Sequence, residues 1–554
     1  MSTSSISSFP EIFASLLEER GITEENKDGF LHPDYGCLHD PALLPDINKA
    51  SERIIAAMKN NEHIVVFCDY DGDGVPAGVV MSDFFKRAKY ENVSFYIPHR
   101  HDEGFGLNLG AIEKCAEREA RLLITVDCGI TDVDEVRRAN EKGIDVIITD
   151  HHEPQERLPE ALAIVNPKRV DSIYPFKEIC GSAVAFKLVQ RILAIESFGI
   201  KPGMEKWSLD MVGIATLSDM VPLIDENRIM ARFGLEVLRK SPRPGLASLF
   251  KKLNLDRKNL TEDDVTFMIT PRINAASRMG KPEDAFNLLR TSDQAEAEIL
   301  AEHLEKINQE RKGVVGSYVK AAKHELEKRE NISDVIVIGN PEWKPSLLGL
   351  VANSLVEEYL RPVFVWGRDG AERHPLSPMI LKGSCRSYNG YDLFDLMEKS
   401  KESFLEFGGH AGAGGFSVTL EQLTTLENKL SEALNGLSME EVKEKNSLAI
   451  SLSDISESLW KTIEPFAPFG IGNEKPIFKI PNASIKSVKK FGKENNHLEL
   501  SLANGVKAIS FFSTPESFKV NLEPGLAVNL HAHLEKSYFR NRSELRLRIV
   551  NIEA

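Results

Sequence analysis

Acidic side chains recur at every second position in one short stretch of the sequence. The segment HIVVFCDYDGDG, residues 63–74, places Asp69, Asp71 and Asp73 directly after a short apolar run. β-Branched residues bounded by turn-forming residues are typical of a buried strand, and α/β sheets bind ligands at the carboxyl ends of such strands. Neighbouring carboxylates repel one another unless a cation neutralises them, and hard oxygen ligands favour Mg²⁺ or Mn²⁺. The alternative is a polar Asp-Gly turn after a core strand.

Two further acidic clusters follow strand-like segments. LLITV precedes Asp127, and DVIIT precedes Asp150, His151 and His152. The interval between the two clusters is what one strand–helix–strand crossover requires. If the sheet is parallel, all three clusters meet at one edge, and this convergence is more specific than any cluster alone. Asp219 ends an apolar helical run and can complete a coordination shell, with an N-cap or a solvated aspartate as the alternative.

Basic and glycine-rich segments supply candidate phosphate ligands. These are Asn274 and Arg278 in PRINAASRMGK, Ser384 and Arg386 in GSCRSYNG, and Gly408, Gly409 and His410 in FGGHAGAGGF. A glycine-rich loop with a basic or histidine donor can surround phosphate oxygens with backbone N–H groups. The alternative for this loop is a tight turn between a strand and a helix. Arg100 is another candidate phosphate donor, with a surface ion pair to Glu103 as the alternative.

Strands alternate with helices in the part of the chain that must position these residues. This alternation predicts a parallel, doubly wound sheet, and 554 residues are too many for one core. A charged segment almost free of helix breakers predicts a connecting helix of about 50 Å. The predicted units are an N-terminal helical lead (1–61), an α/β catalytic domain (62–292), the connecting helix (293–330), a smaller α/β domain (331–436) and a C-terminal antiparallel β-barrel (446–554).

The predicted barrel interleaves aromatic residues with lysines. Phe469, Lys475, Lys489 and Lys490 are the candidates for base stacking and phosphate contact on a single strand. The alternative for such phenylalanines is a place in the core. The net charge of −15 argues against a nucleic-acid partner, but the segment from residue 446 onward is slightly basic.

Composition narrows the class of protein further. Hydrophobic residues make up 42% and charged residues 27%, as in ordinary soluble enzymes. We expect a cytoplasmic protein, because no apolar run reaches the roughly 18 residues of a membrane span and the start lacks a signal-peptide pattern. The six cysteines lack the paired spacing of zinc or disulfide frameworks and are expected to be small buried side chains.

These motifs, in this order, resemble the DHH phosphoesterase superfamily and, within it, the RecJ-type single-stranded DNA exonucleases. The resemblance runs nearly end to end, from DYDGDG, TVDCGI and TDHHEP through PRINAASRMG and FGGHAGAGGF to PFGIGNEKPIF. It implies a DHH catalytic domain, a DHH-associated α/β domain and an OB-fold barrel. It also implies two Mn²⁺ or Mg²⁺ ions held by Asp71, Asp73, Asp127, His151 and Asp219.

The resemblance assigns roles to the other candidates as well. Asp69 and Asp150 would support the metal ligands, and His152, Asn274 and Arg278 would face the scissile phosphate. The 5′-terminal phosphate would be bound by Arg100, Ser384 and Arg386, and the neighbouring backbone by Gly408, Gly409 and His410.

The implied activity is hydrolysis of single-stranded DNA in the 5′→3′ direction to 5′-mononucleotides, in DNA repair and recombination. The resemblance also implies a monomer that works with single-strand-binding protein and a helicase. One alternative is a DHH phosphoesterase of short oligonucleotides or cyclic dinucleotides, against which the barrel counts. A second alternative, from another class, is a non-catalytic single-stranded DNA-binding scaffold, against which the intact ligand set counts.

Overall fold

The chain forms two α/β units joined by a long helix and followed by a β-barrel. The computed structural model describes residues 8–368, 380–388, 390–437, 447–492, 495–539 and 542–554. The interval between the predicted smaller α/β domain and the predicted barrel, residues 437–445, lies almost entirely outside these residues. Within the described residues, no helix is both long enough and apolar enough to cross a membrane.

The first unit is built on a fully parallel five-stranded sheet. Its strands are β1 (Ile64–Cys68), β2 (Val93–Tyr96), β3 (Leu122–Val126), β4 (Asp145–Thr149) and β5 (Ala163–Val165), in the order β2-β1-β3-β4-β5. Strands β1 and β3 are buried along their whole length, as their continuous apolar runs predict.

Helices cover both faces of this sheet and extend beyond it. They are α1 (Phe9–Glu19), α2 (Lys27–Leu31), α3 (Ile47–Lys59), α4 (Gly74–Arg87), α5 (Leu109–Glu117), α6 (Val133–Glu141), α7 (Gly181–Ile195), α8 (Leu209–Ser218), α9 (Asp225–Lys240), α10 (Pro244–Leu253), α11 (Thr270–Met279) and α12 (Pro282–Arg290). A π-helix, Asp264–Ile269, runs directly into α11.

The residues predicted as one N-terminal helical lead belong to two cores. Ile12 and Leu16 of α1 are buried in the core of the C-terminal barrel, together with Phe466. Ile54 of α3 is instead buried in the core of the parallel sheet. The apolar faces of the two helices therefore stabilise two different cores.

The connecting helix α13 (Gln294–Glu327) packs against both α/β units. Its first half buries Ala301 and Leu304 in the first unit, and its last turns bury Ala322 and Leu326 in the second. At 34 residues it is about 50 Å long, as the charged, breaker-free sequence predicts. The helix therefore sets the distance between the two units.

The second unit has a mixed sheet. Its elements are β6 (Ile336–Gly339), α14 (Pro345–Tyr359), β7 (Val363–Gly367), β8 (Ile380–Arg386), α15 (Leu393–Lys399), β9 (Glu406–His410), β10 (Ala413–Thr419) and α16 (Leu420–Leu434). The strand order is β6-β7-β8-β10-β9, and only β6 and β7 pair in parallel.

The C-terminal unit is a small barrel. Its elements are β11 (Ser447–Ala449), α17 (Glu457–Ile463), β12 (Ile477–Phe491), β13 (His497–Leu502), β14 (Lys507–Ser510), β15 (Ala527–Phe539) and β16 (Arg542–Glu553). The strand order is β11-β12-β13-β14-β16-β15, and pairing of β12 with β15 closes it. The α/β fold class with a C-terminal barrel is thus confirmed, but the barrel is not purely antiparallel, because β11 pairs with β12 and β14 with β16 in parallel.

Candidate metal centre and phosphate sites

The parallel strands place three acidic residues side by side at one edge of the first sheet. Each backbone N–H donates to the last carbonyl of a neighbouring strand: Asp69 to Val126 (3.2 Å), Asp127 to Thr149 (2.9 Å) and Asp150 to Val165 (3.1 Å). The strands are in register, so these residues follow their last ladder positions together. We call this edge, formed by the carboxyl ends of β1, β3 and β4, the carboxyl rim.

The turn after β1 is held in place by the start of α7. Asp73 accepts hydrogen bonds from the backbone N–H groups of Gly181 (2.6 Å) and Ser182 (2.7 Å), where the helix dipole favours a carboxylate. Asp71 accepts from the backbone N–H groups of Asp73 and Gly74. Glycine is required at residue 181, because a Cβ there would overlap the Asp127 carboxylate.

His151 lies at the centre of the acidic residues. Its Nε2 is 3.2 Å from Asp127 Oδ1, 3.7 Å from Asp219 Oδ2 and 3.8 Å from Asp73 Oδ2. Carboxylate oxygens of Asp69, Asp71 and Asp127 also lie within 4.8 Å of one another. The structure therefore brings together all five residues assigned as metal ligands, including Asp219 from the end of α8.

Buried atoms without hydrogen-bond partners show what the cluster requires. Among the described residues, Asp69 Oδ1, Asp127 Oδ1 and His151 Nε2 are buried and accept or donate no hydrogen bond. Burial and the neighbouring carboxylates raise the pKa of Asp69 and Asp127 well above the usual range, and that of Asp219 to about 9. Such acceptors are costly without a cation, so the donor set fits divalent metal ions.

Asp150 binds His152 rather than joining the cluster. Its Oδ1 accepts from His152 Nδ1 at 2.7 Å, and its Oδ2 accepts from the backbone N–H of Ile130 at 3.0 Å. Burial opposes the charged imidazole, but the Asp150 hydrogen bond and the nearby carboxylates raise the pKa of His152 to about 9. Asp150 therefore fixes the orientation of the His152 imidazole beside the carboxyl rim.

Asn274 and Arg278 lie one turn apart on α11. Asn274 Oδ1 is buried without a hydrogen-bond partner among the described residues. Arg278 Nη1 donates to the Ser346 carbonyl (3.0 Å) and Ser346 Oγ donates to the Arg278 carbonyl (3.0 Å), which links α11 to α14 of the second unit. Burial and the charges of Arg100 and Arg311 lower the pKa of Arg278 to about 9. This buried cation is suited to an anionic ligand.

Arg100 lies beside the carboxyl rim. Its guanidinium is 4.9 Å from the centre of the Tyr70 ring, in the turn that carries the aspartates. In the described part of the chain, Glu103 instead accepts from Tyr96, Lys114 and the backbone of His99. The alternative of an Arg100–Glu103 ion pair is therefore wrong. Phe105, which the sequence analysis did not single out, is 50% exposed with its ring 5.5 Å from that of His152.

The predicted glycine-rich loop is a β-hairpin, so the alternative of a tight turn between a strand and a helix is wrong, whereas its role in binding phosphate stays a prediction. Gly408, Gly409 and His410 lie on edge strand β9, and β10 returns beside it. The register places Arg386 opposite Ala413 and Ala413 opposite His410, so all three occupy one face of the sheet. The next row on that face, Ser384–Gly415–Gly408, is nearly free of side chains.

Arg386 and Ser384 form the polar part of this face. Arg386 Nη1 donates to Ser384 Oγ at 3.1 Å, and a Cβ at Gly349 of α14 would lie 2.8 Å from Arg386 Nη2. Burial lowers the pKa of Arg386, and its charge also lowers the pKa of Arg278. Arg386 therefore lies near the residues that α11 presents to the carboxyl rim.

Two of the four predicted barrel contacts are wrong. Phe469 is only 7% exposed and packs in the barrel core, so it has no free face for a base. Lys475 forms an ion pair with Asp263 of the first unit, so the charge of Lys475 is already compensated within the protein. Lys489 and Lys490 are exposed on β12, and Lys490 pairs with Glu516 at 2.7 Å.

Comparison with known families matches each unit separately. The DHH family, N-terminal domain, matches residues 63–216, the DHHA1 domain matches residues 332–436 and the RecJ OB domain matches residues 447–551. The three matches correspond to the parallel sheet, the mixed sheet and the barrel.

Relatives match the chain as a whole. The single-stranded-DNA-specific exonuclease RecJ of Bacillus subtilis is 35% identical over 545 residues, covering 97% of this chain and 67% of the relative. The protein of the same name in Haemophilus influenzae is 29% identical, covering 93% and 92%. The crystal structure of Thermus thermophilus RecJ with Mn²⁺ superposes with a TM-score of 0.79 at 25% identity, covering 99% of this chain and 78% of that one. The chain belongs to the RecJ family of DHH proteins.

Proposed function

We propose that the chain is a metal-dependent exonuclease that hydrolyses single-stranded DNA from its 5′ end to 5′-mononucleotides. The observation that carries this proposal is the convergence of five candidate metal-ligand side chains at the carboxyl rim. The second unit adds a face that carries a cation, Arg386, beside a row containing glycines. The names of the relatives supply the substrate and the family supplies the polarity. DNA repair and recombination, a monomer, a cytoplasmic location and partnership with single-strand-binding protein and a helicase stay predictions.

The metal ligands are the five residues gathered around the carboxyl rim. They are Asp71, Asp73, Asp127, His151 and Asp219. Two Mn²⁺ or Mg²⁺ ions held by these residues would supply activation of a water molecule and compensation of the negative charge on the reacting phosphate. Burial lowers the pKa of His151, so its imidazole is neutral and can act as a ligand.

The protein's own side chains position the phosphate and supply a proton to the departing oxygen. Water adds to phosphorus while the bond to the 3′ oxygen of the terminal nucleotide breaks, and that oxygen must gain a proton. His152, oriented by Asp150, can supply this proton in its protonated form and stabilise the departing oxygen. Arg278 and Asn274 offer a buried cation and a buried amide to the phosphate oxygens.

The face of the second unit accounts for release of single nucleotides. Arg386 and Ser384 can bind the terminal phosphate as a charge-assisted pair, with Arg100 approaching from the first unit. Anchoring the first phosphate presents the next one to the carboxyl rim. The row of glycines leaves room for the sugar–phosphate backbone, because no side chains project there.

The test is His151→Ala assayed with Mn²⁺ on 5′- and 3′-labelled single strands. We expect the wild type to release labelled mononucleotide first from the 5′ label, and the variant to lose more than about 100-fold in rate. His32→Ala, at an exposed position on the C-terminal side of α2, is the matched control and should be unchanged. Near-normal turnover by His151→Ala would contradict the proposal. A strong preference for dinucleotides over long strands would favour the short-substrate alternative.

A further inference from the structure

Asp219 differs from the other four proposed metal ligands because it lies at the end of a helix. The other four follow strands β1, β3 and β4, whose pairing fixes the backbone from which they project. Asp219 instead follows the last residue of α8, and its carboxylate reaches to within 3.7 Å of His151 Nε2. We call residues 219–224, between α8 and α9, the α8–α9 loop. Contacts outside the sheet must hold this loop in place.

The backbone of the α8–α9 loop is strained at both ends. Met220, directly after the metal-ligand position, has a φ of 59°, and Asp225, the first residue of α9, has a φ of 47°. A left-handed backbone is unfavourable for residues other than glycine, and it persists only where surrounding contacts impose it. The Met220 side chain is exposed, so its own packing does not supply these contacts.

Two neighbours hold the middle of the α8–α9 loop. From α9, Asn227 Nδ2 donates to the carbonyl of Pro222 at 3.0 Å. From the segment that precedes the barrel, the carbonyl of Ile471 accepts from the backbone N–H of Leu223 at 2.7 Å. Gly472 allows this close approach, because a Cβ there would lie 3.3 Å from Pro222 Cβ. The loop is therefore fixed between α9 and the segment before the barrel.

That segment is a rigid turn. We call residues 465–473, which lead towards β12, the entry turn. Arg228 of α9 is buried, and its guanidinium donates to four carbonyls of the entry turn over distances of 2.8 to 3.4 Å. Asn473 is also buried and donates to two of the same carbonyls at 2.8 Å. Buried hydrogen bonds to a charged donor are costly to break, so the turn offers the loop a fixed support.

We propose that the entry turn positions Asp219 for metal binding and acts on the metal centre through the α8–α9 loop. This inference rests on the proposed function and adds positioning residues from outside the parallel sheet. Arg228 makes the turn rigid, and Gly472 lets it approach Pro222. When the turn is displaced, the backbone at Met220 relaxes and the Asp219 carboxylate moves away from the other ligands. The inference also gives a role to the PFGIGN part of the sequence, which the site itself does not use.

The experiment measures Mn²⁺ binding to the metal-free full chain by isothermal titration calorimetry. Gly472→Ala adds a methyl group against Pro222, and we expect it to raise the Kd for Mn²⁺ about tenfold, as loss of a residue that orients a metal ligand does. No DNA is present, so the change cannot come from binding of a strand by the barrel. Turnover should fall at low Mn²⁺ concentration and recover at saturating Mn²⁺, because Asp219 itself is retained.

Gly505→Ala is the matched control. Gly505 has a φ of 86°, close to the 73° of Gly472, so an alanine is strained at both positions. A Cβ at Gly505 would meet no atom of the described residues within 4 Å beyond its chain neighbours. This variant should lose similar thermal stability and keep the Kd of the wild type. Gly472→Asn should raise the Kd for Mn²⁺ with a smaller loss of stability, because asparagine tolerates a left-handed backbone and still carries a Cβ.

The results separate failure of the inference from failure of the proposed function. An unchanged Kd for Mn²⁺ in both Gly472 variants would overturn the inference, as would an equal increase in Gly505→Ala. If Asp219→Asn were to bind Mn²⁺ as tightly as the wild type, Asp219 would not be a ligand and the proposed metal centre would itself be wrong. Weak binding by Asp219→Asn together with wild-type binding by Gly472→Ala would overturn the inference and leave the metal centre standing.

Discussion

The sequence predicts the residues of the carboxyl rim more accurately than the surface residues of the barrel. All the acidic residues assigned to the rim meet there, although Asp73 and Asp219 are distant in the chain. In the barrel, the predicted Phe469 is core and Lys475 is paired inside the protein, whereas Phe512 is 81% exposed. Backbone topology positions the rim residues, but the orientation of single side chains decides which barrel residues reach solvent.

The difference has a structural cause in the two kinds of sheet. In a parallel sheet with buried strands, the residues that follow the strands all lie at the same edge of the sheet. The backbone N–H groups of Asp127 and Asp150 are hydrogen-bonded to neighbouring strands at this edge. In the barrel, β12 is irregular between Ile480 and Ala483 and again between Ile485 and Ser487. Each irregularity changes which side of the sheet successive residues of β12 face. Phe469 and Lys475 lie before β12, in a segment outside the strands, so no alternation identifies which of their side chains reach solvent.

The largest expected effect tests whether the rim is a metal centre. Asp127→Asn keeps the shape of the side chain and removes one charge from the cluster. We expect turnover with Mn²⁺ to fall more than about 100-fold, because the change removes a metal ligand and not merely a residue that orients one. We also expect the metal-free variant to unfold at a higher temperature than the metal-free wild type, because burial and the surrounding carboxylates make the Asp127 charge unfavourable.

The same measurements on Asp145→Asn provide the control. Asp145 begins β4 at the opposite edge of the same sheet and binds Arg53 at 2.6 Å. This variant should keep its turnover and should gain no thermal stability. If Asp127→Asn were to lower the unfolding temperature of the metal-free protein, the cluster would be stabilised by something other than a cation.

The next effect tests the corrected role of a barrel residue. Phe469→Ala should lower the free energy of unfolding by about 3 kcal/mol, because it leaves a cavity in the core shared by the barrel and α1. Thermal unfolding and single-strand binding below the unfolding temperature should be measured together. Phe469→Leu should recover most of the stability. Selective loss of DNA affinity in a fully stable Phe469→Ala variant would restore the original interpretation of Phe469.

Sequence analysis predicts most of the fold and the identity of the rim residues. Apolar runs locate β1, β3 and β4, and one acidic motif follows each of them. It does not reveal the bonds from the start of α7 to Asp73, since these join residues more than 100 positions apart. Nor does it reveal Phe267 as a surface residue, because a π-helix has a period that an α-helical pattern does not follow.

The smallest expected effect is a difference between two neighbouring lysines for which the sequence predicts the same role. Both lysines are exposed at adjacent positions of β12. Lys490 forms an ion pair with Glu516, and the described residues show no such pair for Lys489. Lys489→Ala should weaken binding of single-stranded DNA a few-fold and reduce the steepness of its salt dependence by about 0.7, the value for one phosphate contact on a single strand. Lys490→Ala should change both quantities less, because its charge is already compensated.

The measurement is Kd for oligothymidylate at several salt concentrations, with EDTA to prevent cleavage. Glu516→Gln is the informative companion variant, because it frees Lys490 without removing a cation. If Lys489 contacts a phosphate and the charge of Lys490 is compensated by Glu516, Glu516→Gln should bind oligothymidylate more tightly and with a steeper salt dependence than the wild type. Equal, unchanged slopes in all three variants would place the DNA path away from this part of β12.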